Sequence, residues 1–169
     1  MPELPEVEIT ARRLSTALEG AEVESALATG VATLKTFDPP LDALAGSRVG
    51  GVRRIGKMLA VDFDPTPTDG GEPLTLLIHL MSAGRLQLYD KRGSLRDRAS
   101  RVLVRVDGDR ELRLREFGTK QSAWAKLLRT AEVADDEAVA TLGPDAWPAP
   151  PLAEFAALID QPRHLHPLL

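Results

Sequence analysis

Leu4, Val7, Ala11, Leu14 and Leu18 recur at three- and four-residue steps, which predicts an amphipathic helix from about residue 4 to residue 18. Beyond it the period shortens. AEVESALA reads as a strand, a polar loop with Pro39 and Pro40 follows, and LDALAGSRV predicts a short helix ending at Gly46. GGVRRIGKMLAVDFD reads as a strand pair or one bent strand, with Gly56 at a kink or tight turn. PTPTDGGEP is a loop, and EPLTLLIHLMSAGRLQLYD gives two strands broken at Ser82–Gly84. SRVLVRVDGDRELRLREFG alternates apolar and basic residues on both sides of DGD, a hairpin signal. WAKLLRTAEVADDEAVATLG predicts helical or mixed structure, DAWPAPPLAEF a proline-rich linker, and LAEFAALID the start of another helix. A helix, many short antiparallel strands and a linker together predict an α+β, mainly β fold: an antiparallel β-sandwich flanked by helices.

Composition narrows the class. Of 169 residues, 43% are apolar and 27% charged, as in an ordinary globular domain. The longest apolar runs, such as LTLLIHLM, are far too short to span a bilayer, and no signal segment opens the chain, so the expected compartment is the cytoplasm. The absence of cysteine removes disulfides, a thiol nucleophile and a cysteine-based zinc site. The net charge of −4 argues mildly against nucleic acid, but its distribution reverses that impression. Residues 1–47 hold 3 basic and 8 acidic side chains, residues 48–130 hold 17 and 10, and residues 131–169 hold 1 and 7. A basic middle between acidic flanks can bind phosphates locally. The alternative is that arginine alternating with apolar residues is simply the solvated face of a sheet.

The opening MPELPEVE packs two prolines and two carboxylates into positions 2–6. Proline suits a first helical turn, and glutamate there faces the positive end of the helix dipole, so an ordinary helix start accounts for it. A chemical reading stands beside that one. Loss of Met1 gives Pro2 a free secondary amine, and an α-amino group with a pKa of about 7.7–8.0 is partly unprotonated near neutrality. Such an amine attacks carbonyl carbon as lysines do in Schiff-base enzymes.

PELPEVE…RRL resembles the opening of the formamidopyrimidine-DNA glycosylase and endonuclease VIII family of base-excision repair enzymes. RRIGKML, IHLMSAGRL, RLREFG and LGPD resemble further pieces of that family, in its order. The resemblance implies a bifunctional DNA glycosylase/AP lyase acting on damaged, oxidised bases in double-stranded DNA, as a monomer and away from membranes. Pro2 would be the nucleophile that displaces the base and forms an iminium, followed by β- and δ-elimination. Glu3 would be the general acid/base, with a pKa raised by burial or by another carboxylate. Glu6, one helical turn away, would supply that carboxylate or hold water. Lys57 would contact the phosphate beside the lesion and give a proton in elimination.

The remaining expectations concern DNA contacts. Met81 is a candidate wedge filling the space of a flipped base; aligned without a gap, the family's methionine falls on Ser82, so the loop is shifted by one residue. Arg115 and Phe117 resemble the pair that enters the duplex and contacts the base opposite the lesion. Glu116 stands where the family has a second arginine, and an anion beside phosphates would alter opposite-base preference or affinity. Arg101 falls near a phosphate-contacting position. Arg53 and Arg54 read as strand-surface charges or secondary phosphate contacts, and His79 as packing within the sheet rather than ligating metal. The domain expectation is a catalytic sandwich over 1–147, then 148–169 as linker and the start of an incomplete helix–two-turn–helix domain. The family's zinc finger has no counterpart in this chain, so neither metal nor cofactor is expected. Two other readings are a truncated, inactive fragment and a non-enzymatic β-sandwich binding module.

Overall fold

The computed structural model describes residues 2–30, 32–65, 70–118, 121–145 and 147–160. They fall into two compact units, Met1–Val133 and Ala134–Leu169. The first unit holds helix α1 (Leu4–Leu18) and eight strands: β1 (Val23–Ala28), β2 (Arg48–Ile55), β3 (Met58–Asp64), β4 (Leu74–His79), β5 (Gly84–Tyr89), β6 (Ser100–Val106), β7 (Arg110–Glu116) and β8 (Trp124–Arg129). The second unit contributes helices α2 (Glu137–Ala140) and α3 (Leu152–Ile159). Among the described residues no helix is long and apolar enough to cross a membrane.

The strands form two four-stranded antiparallel sheets, in the orders β1-β6-β7-β5 and β2-β3-β4-β8. This is the mainly β architecture that the alternating pattern predicts. Leu59, Val61 and Phe63 on β3, Leu76 and Ile78 on β4, Val102, Val104 and Val106 on β6, and Leu112 and Leu114 on β7 share one core. Their period of two places every second side chain on the buried face. Helix α1 adds Val7, Ala11, Leu14 and Leu18 to the same core. It is seated by a bulge in β2, where the register shifts between Val49 and Gly51. The Val52 N–H donates to Ser15 Oγ of α1 at 3.1 Å.

Three local outcomes differ from the pattern. LDALAGSRV forms only a 3₁₀ turn, Leu41–Leu44, before Gly46 turns the chain with φ +83°. WAKLLR, inside the stretch read as helical or mixed, is its strand part: β8 pairs with β4 from Leu74↔Arg129 to His79↔Trp124. Its Ala, Lys, Leu and Arg favour a helix intrinsically, but burial of Ala125 and Leu127 against the core decides otherwise. The outer face of the first sheet is not a solvated arginine face. Glu111 and Arg113 are buried there, and Glu111 ion-pairs with Arg105 and Arg113 while accepting the Gly93 N–H. Segment 91–93 lies over that face, with the Lys91 carbonyl accepting from Arg113. Gly93 lets the segment lie close, since a Cβ there would sit 2.7 Å from the Arg113 guanidinium carbon and the arginine would have to shift.

Candidate active site

Glu3 is the N-cap of α1, extended at φ −83° and ψ 164°. Glu6 reaches back, its carboxylate accepting the Glu3 backbone N–H at 2.8 Å. Glu6 is therefore engaged with the backbone of Glu3, as in a capping box. The Glu3 side chain instead meets Lys57, with Oε2 at 3.2 Å from Nζ. The burial expected around Glu3 is absent: its side chain is 70% exposed, and its neighbour is a cation. Pro2, adjoining Glu3, is half-buried. Met1, whose removal frees the Pro2 amine, lies outside the described residues.

Lys57 occupies the second position of the two-residue turn that joins β2 to β3, between the paired residues Ile55 and Met58. Gly56 takes φ +57° at the first, a conformation that favours glycine. Arg54 ties this hairpin tip to the helix. Its Nε donates to Glu8 Oε2 at 2.8 Å and its NH1 to the Gly56 carbonyl at 3.0 Å. The Arg54 side chain is 5% exposed, so the expectation of a strand-surface charge is corrected: it is an internal clamp. The Arg54 hydrogen bond, and next that of Arg12, hold the Glu8 carboxyl below its ordinary pKa.

The end of β4 adjoins this corner. Met58 pairs with His79, whose ring stacks on Trp124 with centroids 5.6 Å apart. Burial, and then the charge of Lys57, push the His79 pKa down. Its Nδ1 accepts the Met81 N–H at 3.0 Å, so the packing role read from the sequence includes holding the next turn. Met81 is partly exposed at φ +50°, and the turn closes where Gly84 N–H meets the Leu80 carbonyl at 2.8 Å. Any Cβ on Gly84 would lie 2.4 Å from that oxygen.

Across from this turn runs the end of β7. Gly84 pairs with Glu116, and the Phe117 N–H reaches the Ala83 carbonyl at 3.4 Å. The Met81 turn and the Arg115–Phe117 segment are thus backbone neighbours. Phe117 is half exposed, and the Arg115 guanidinium lies 4.8 Å from its ring centroid. Glu116 points inward. Its Oε1 accepts the backbone N–H groups of Ser122 and Ala123 at 2.7 and 2.9 Å, and Oε2 faces Arg101 Nε at 3.8 Å. The expectation that Glu116 stands beside DNA phosphates is therefore corrected; it anchors the chain entering β8. Arg101 is likewise nine-tenths buried against Glu116 rather than displayed on a surface. Arg53 is a surface charge, paired with Asp62 at 2.7 Å. Among the described residues no group of three or more His, Asp or Glu side chains comes together to hold a metal.

The sequence matches the family model of the formamidopyrimidine-DNA glycosylase N-terminal domain over residues 1–120. The chain belongs to the formamidopyrimidine-DNA glycosylase family. A family member named formamidopyrimidine-DNA glycosylase from Latilactobacillus sakei is 30% identical over 151 residues, covering 88% of this chain and 50% of the relative. One from Acidovorax sp. (strain JS42) is 45% identical over 91 residues, 52% of this chain and 29% of the relative. The chain thus spans half or less of the length of these glycosylase relatives. Among solved structures, the Lactococcus lactis formamidopyrimidine-DNA glycosylase bound to DNA containing an AP site shares the fold, with a TM-score of 0.70 at 24% identity over 85% of this chain and 52% of that one. The wild-type Lactococcus lactis enzyme in complex with DNA containing an oxidised pyrimidine gives a TM-score of 0.70 at 25% identity, over 85% and 50% of the two chains.

Within this member of the glycosylase family, sequence reasoning missed Glu8, and it misjudged Arg54 and Glu116. Charge pattern alone cannot tell an arginine that faces solvent from one that closes a gap between a helix and a hairpin. A signal for Glu8 existed: it is an acidic residue on the partly buried face of α1, one step beyond Val7.

Proposed function

We propose that this chain carries the chemistry of a bifunctional DNA glycosylase/AP lyase. The observation that carries the reading is the Glu3–Lys57 contact at the chain end, immediately beside Pro2. Three groups that the resemblance casts as nucleophile, acid/base and elimination donor share one corner, although they lie 54 and 55 residues apart in the chain. The Pro2 nitrogen attacks C1′ of the damaged nucleotide and the base leaves with the bonding electrons, taking a proton from Glu3. The Glu3 carboxylate then takes the proton that the Pro2 nitrogen sheds and passes it to O4′ as the C1′–O4′ bond breaks, and the nitrogen lone pair forms an iminium at C1′ that acidifies C2′–H. Loss of that proton expels the 3′ phosphate, which Lys57 neutralises. Glu3 is exposed and ion-paired in the free chain; a flipped nucleotide would cover it, replacing water with the low-dielectric surroundings that general acid catalysis needs. Damaged duplex DNA is the proposed partner, in keeping with the DNA-bound relatives. Met81, Arg115 and Phe117 lie on adjoining segments and would fill and read the space left by the extruded base.

The test is borohydride trapping on an abasic-site oligonucleotide. A covalent adduct, lost in Pro2→Gly, supports the reading. No adduct with a chain whose intact mass shows loss of Met1 would overturn it and favour a binding module.

A further inference from the structure

Arg115 is held in a site built for it. Its NH2 donates to Asp97 Oδ2 at 3.1 Å and its NH1 to the Tyr89 hydroxyl at 3.3 Å, while Phe117 covers one face. Each partner is fixed by others. Asp97 Oδ1 accepts the Ala99 N–H at 3.0 Å, and Oδ2 accepts the Ser100 hydroxyl at 2.9 Å. These contacts, with the Ala99 N–H foremost, hold the Asp97 carboxyl below its ordinary pKa. The Tyr89 hydroxyl donates to Gln87 Oε1 at 2.8 Å, which turns its lone pairs toward Arg115, and Arg113 packs 4.2 Å from the Tyr89 ring centroid. The carboxylate and the phenol are thus oriented by Ala99, Ser100, Gln87 and Arg113.

A guanidinium has five N–H donors in a rigid plane. Nε is buried, Asp97 takes one donor from NH2, and Tyr89 takes one from NH1. One N–H on each terminal nitrogen is left over, and with 24% of the side chain exposed the group keeps an open side. Two N–H groups in one plane match a base edge that offers two acceptors.

We infer that Asp97 and Tyr89 are positioning residues that set which base is accepted opposite the lesion, by holding Arg115 with its two remaining N–H groups toward that base. The inference rests on the functional reading above. Without Asp97 the long side chain samples several rotamers, and its donors can follow any acceptor.

The test compares this chain with D97N and Y89F. The asparagine of D97N keeps an oxygen for the Ala99 N–H but turns an amide donor or a neutral oxygen to Arg115. The phenylalanine of Y89F keeps the ring and loses the hydroxyl. Affinity is measured for duplexes with a tetrahydrofuran abasic analogue opposite each of the four bases. The ratio between the best and worst opposite base is expected to fall about tenfold in D97N, the discrimination a bidentate contact carries, and less in Y89F. An equal loss against all four bases, or no change, would overturn the inference, since a structural role alone moves affinity and not the ratio. Arginine side-chain ¹⁵N spectra separate the two readings without DNA. Distinct NH1 and NH2 signals for Arg115 that merge in D97N support positioning, and signals already merged in the unmodified chain refute it. Absence of any duplex binding by the unmodified chain would instead sink the functional reading, and the specificity claim with it.

Discussion

The corner around Glu3 and the pocket around Arg115 are built in opposite ways. Glu3 and Lys57 face each other in the open, with 70% and 41% of their side chains exposed. Arg115 is held by Asp97 and Tyr89, and the next residue, Glu116, is buried against Arg101; both carboxylates are held by backbone N–H groups, and Asp97 by a hydroxyl as well. Exposed ion pairs contribute little to stability, whereas breaking a buried one leaves an uncompensated charge. Residues at the chain end are therefore free to be selected for chemistry, and residues around Arg115 carry the fold as well as any reading of DNA.

Substitutions at the two places should separate on that basis. Glu3→Gln is expected to reduce base excision by roughly 10²–10⁴-fold, the range for a general acid, with stability unchanged within about 0.5 kcal/mol. Some lyase activity on a preformed abasic site should survive, because the amine still attacks an open aldehyde. Single-turnover excision and lyase assays beside a urea melt check this, and equal loss of both activities would remove Glu3 from the glycosidic step. Glu116→Ala should show the reverse balance. It strands Arg101 and two backbone donors, costing about 3–5 kcal/mol, visible as a lower denaturant midpoint. A loss below about 1 kcal/mol would show that the pair behaves as an exposed one.

Arg54 tests the join between the two kinds of site, since it is buried yet holds an exposed residue in place. Arg54→Met fills similar volume but drops the bonds to Glu8 and Gly56. A stability loss of roughly 1–3 kcal/mol is expected, with a fall in borohydride trapping as the hairpin tip drifts from Glu3. Unchanged trapping would show that Lys57 does not depend on the clamp.

The smallest effect is a pH dependence from His79. Its folded pKa lies below the ordinary 6.5, so the unfolded chain takes up the proton first. Stability from this group is complete above pH 6.5 and is lost as the pH falls below it. Protonation removes the acceptor for the Met81 N–H, so the loss should be concentrated in the turn at 80–84. A histidine NMR titration alongside a melt at each pH measures it, and a folded value above 6.5 would contradict the sign. Glu8 and Asp97, held down by Arg54 and by the Ala99 N–H, add a further loss only in more acid solution.

Much of the fold was legible because core positions obey simple periods. The helix over 4–18 and the hairpin around DGD follow from spacing alone. The strand at Trp124–Arg129 did not, because its residues prefer a helix and only the core edge makes them extend. The chain-end corner was read from a family motif, and of its residues Glu3 meets Lys57 and Glu6 meets the Glu3 backbone. The site around Arg115 was not, because Asp97 and Tyr89 lie on other segments whose approach depends on sheet pairing. A charge read along a line gives no sign of whether a loop will fold over it.

The switch between sheets at residues 80–83 bears on how the molecule is assembled. Strands β2, β3 and β4 are contiguous in the chain and pair with their sequence neighbours, β2 and β3 through a turn of two residues. Strand β1 bonds the 46–47 backbone at Val23 but forms its ladder with β6, Val23 opposite Val106, and β5 must wait for β7. Closing longer loops costs more entropy before any contact repays it. The meander that presents Lys57 is therefore expected to gain amide protection early in refolding. The β1–β6 ladder, which closes the longest loop of these pairings, should be the last to form.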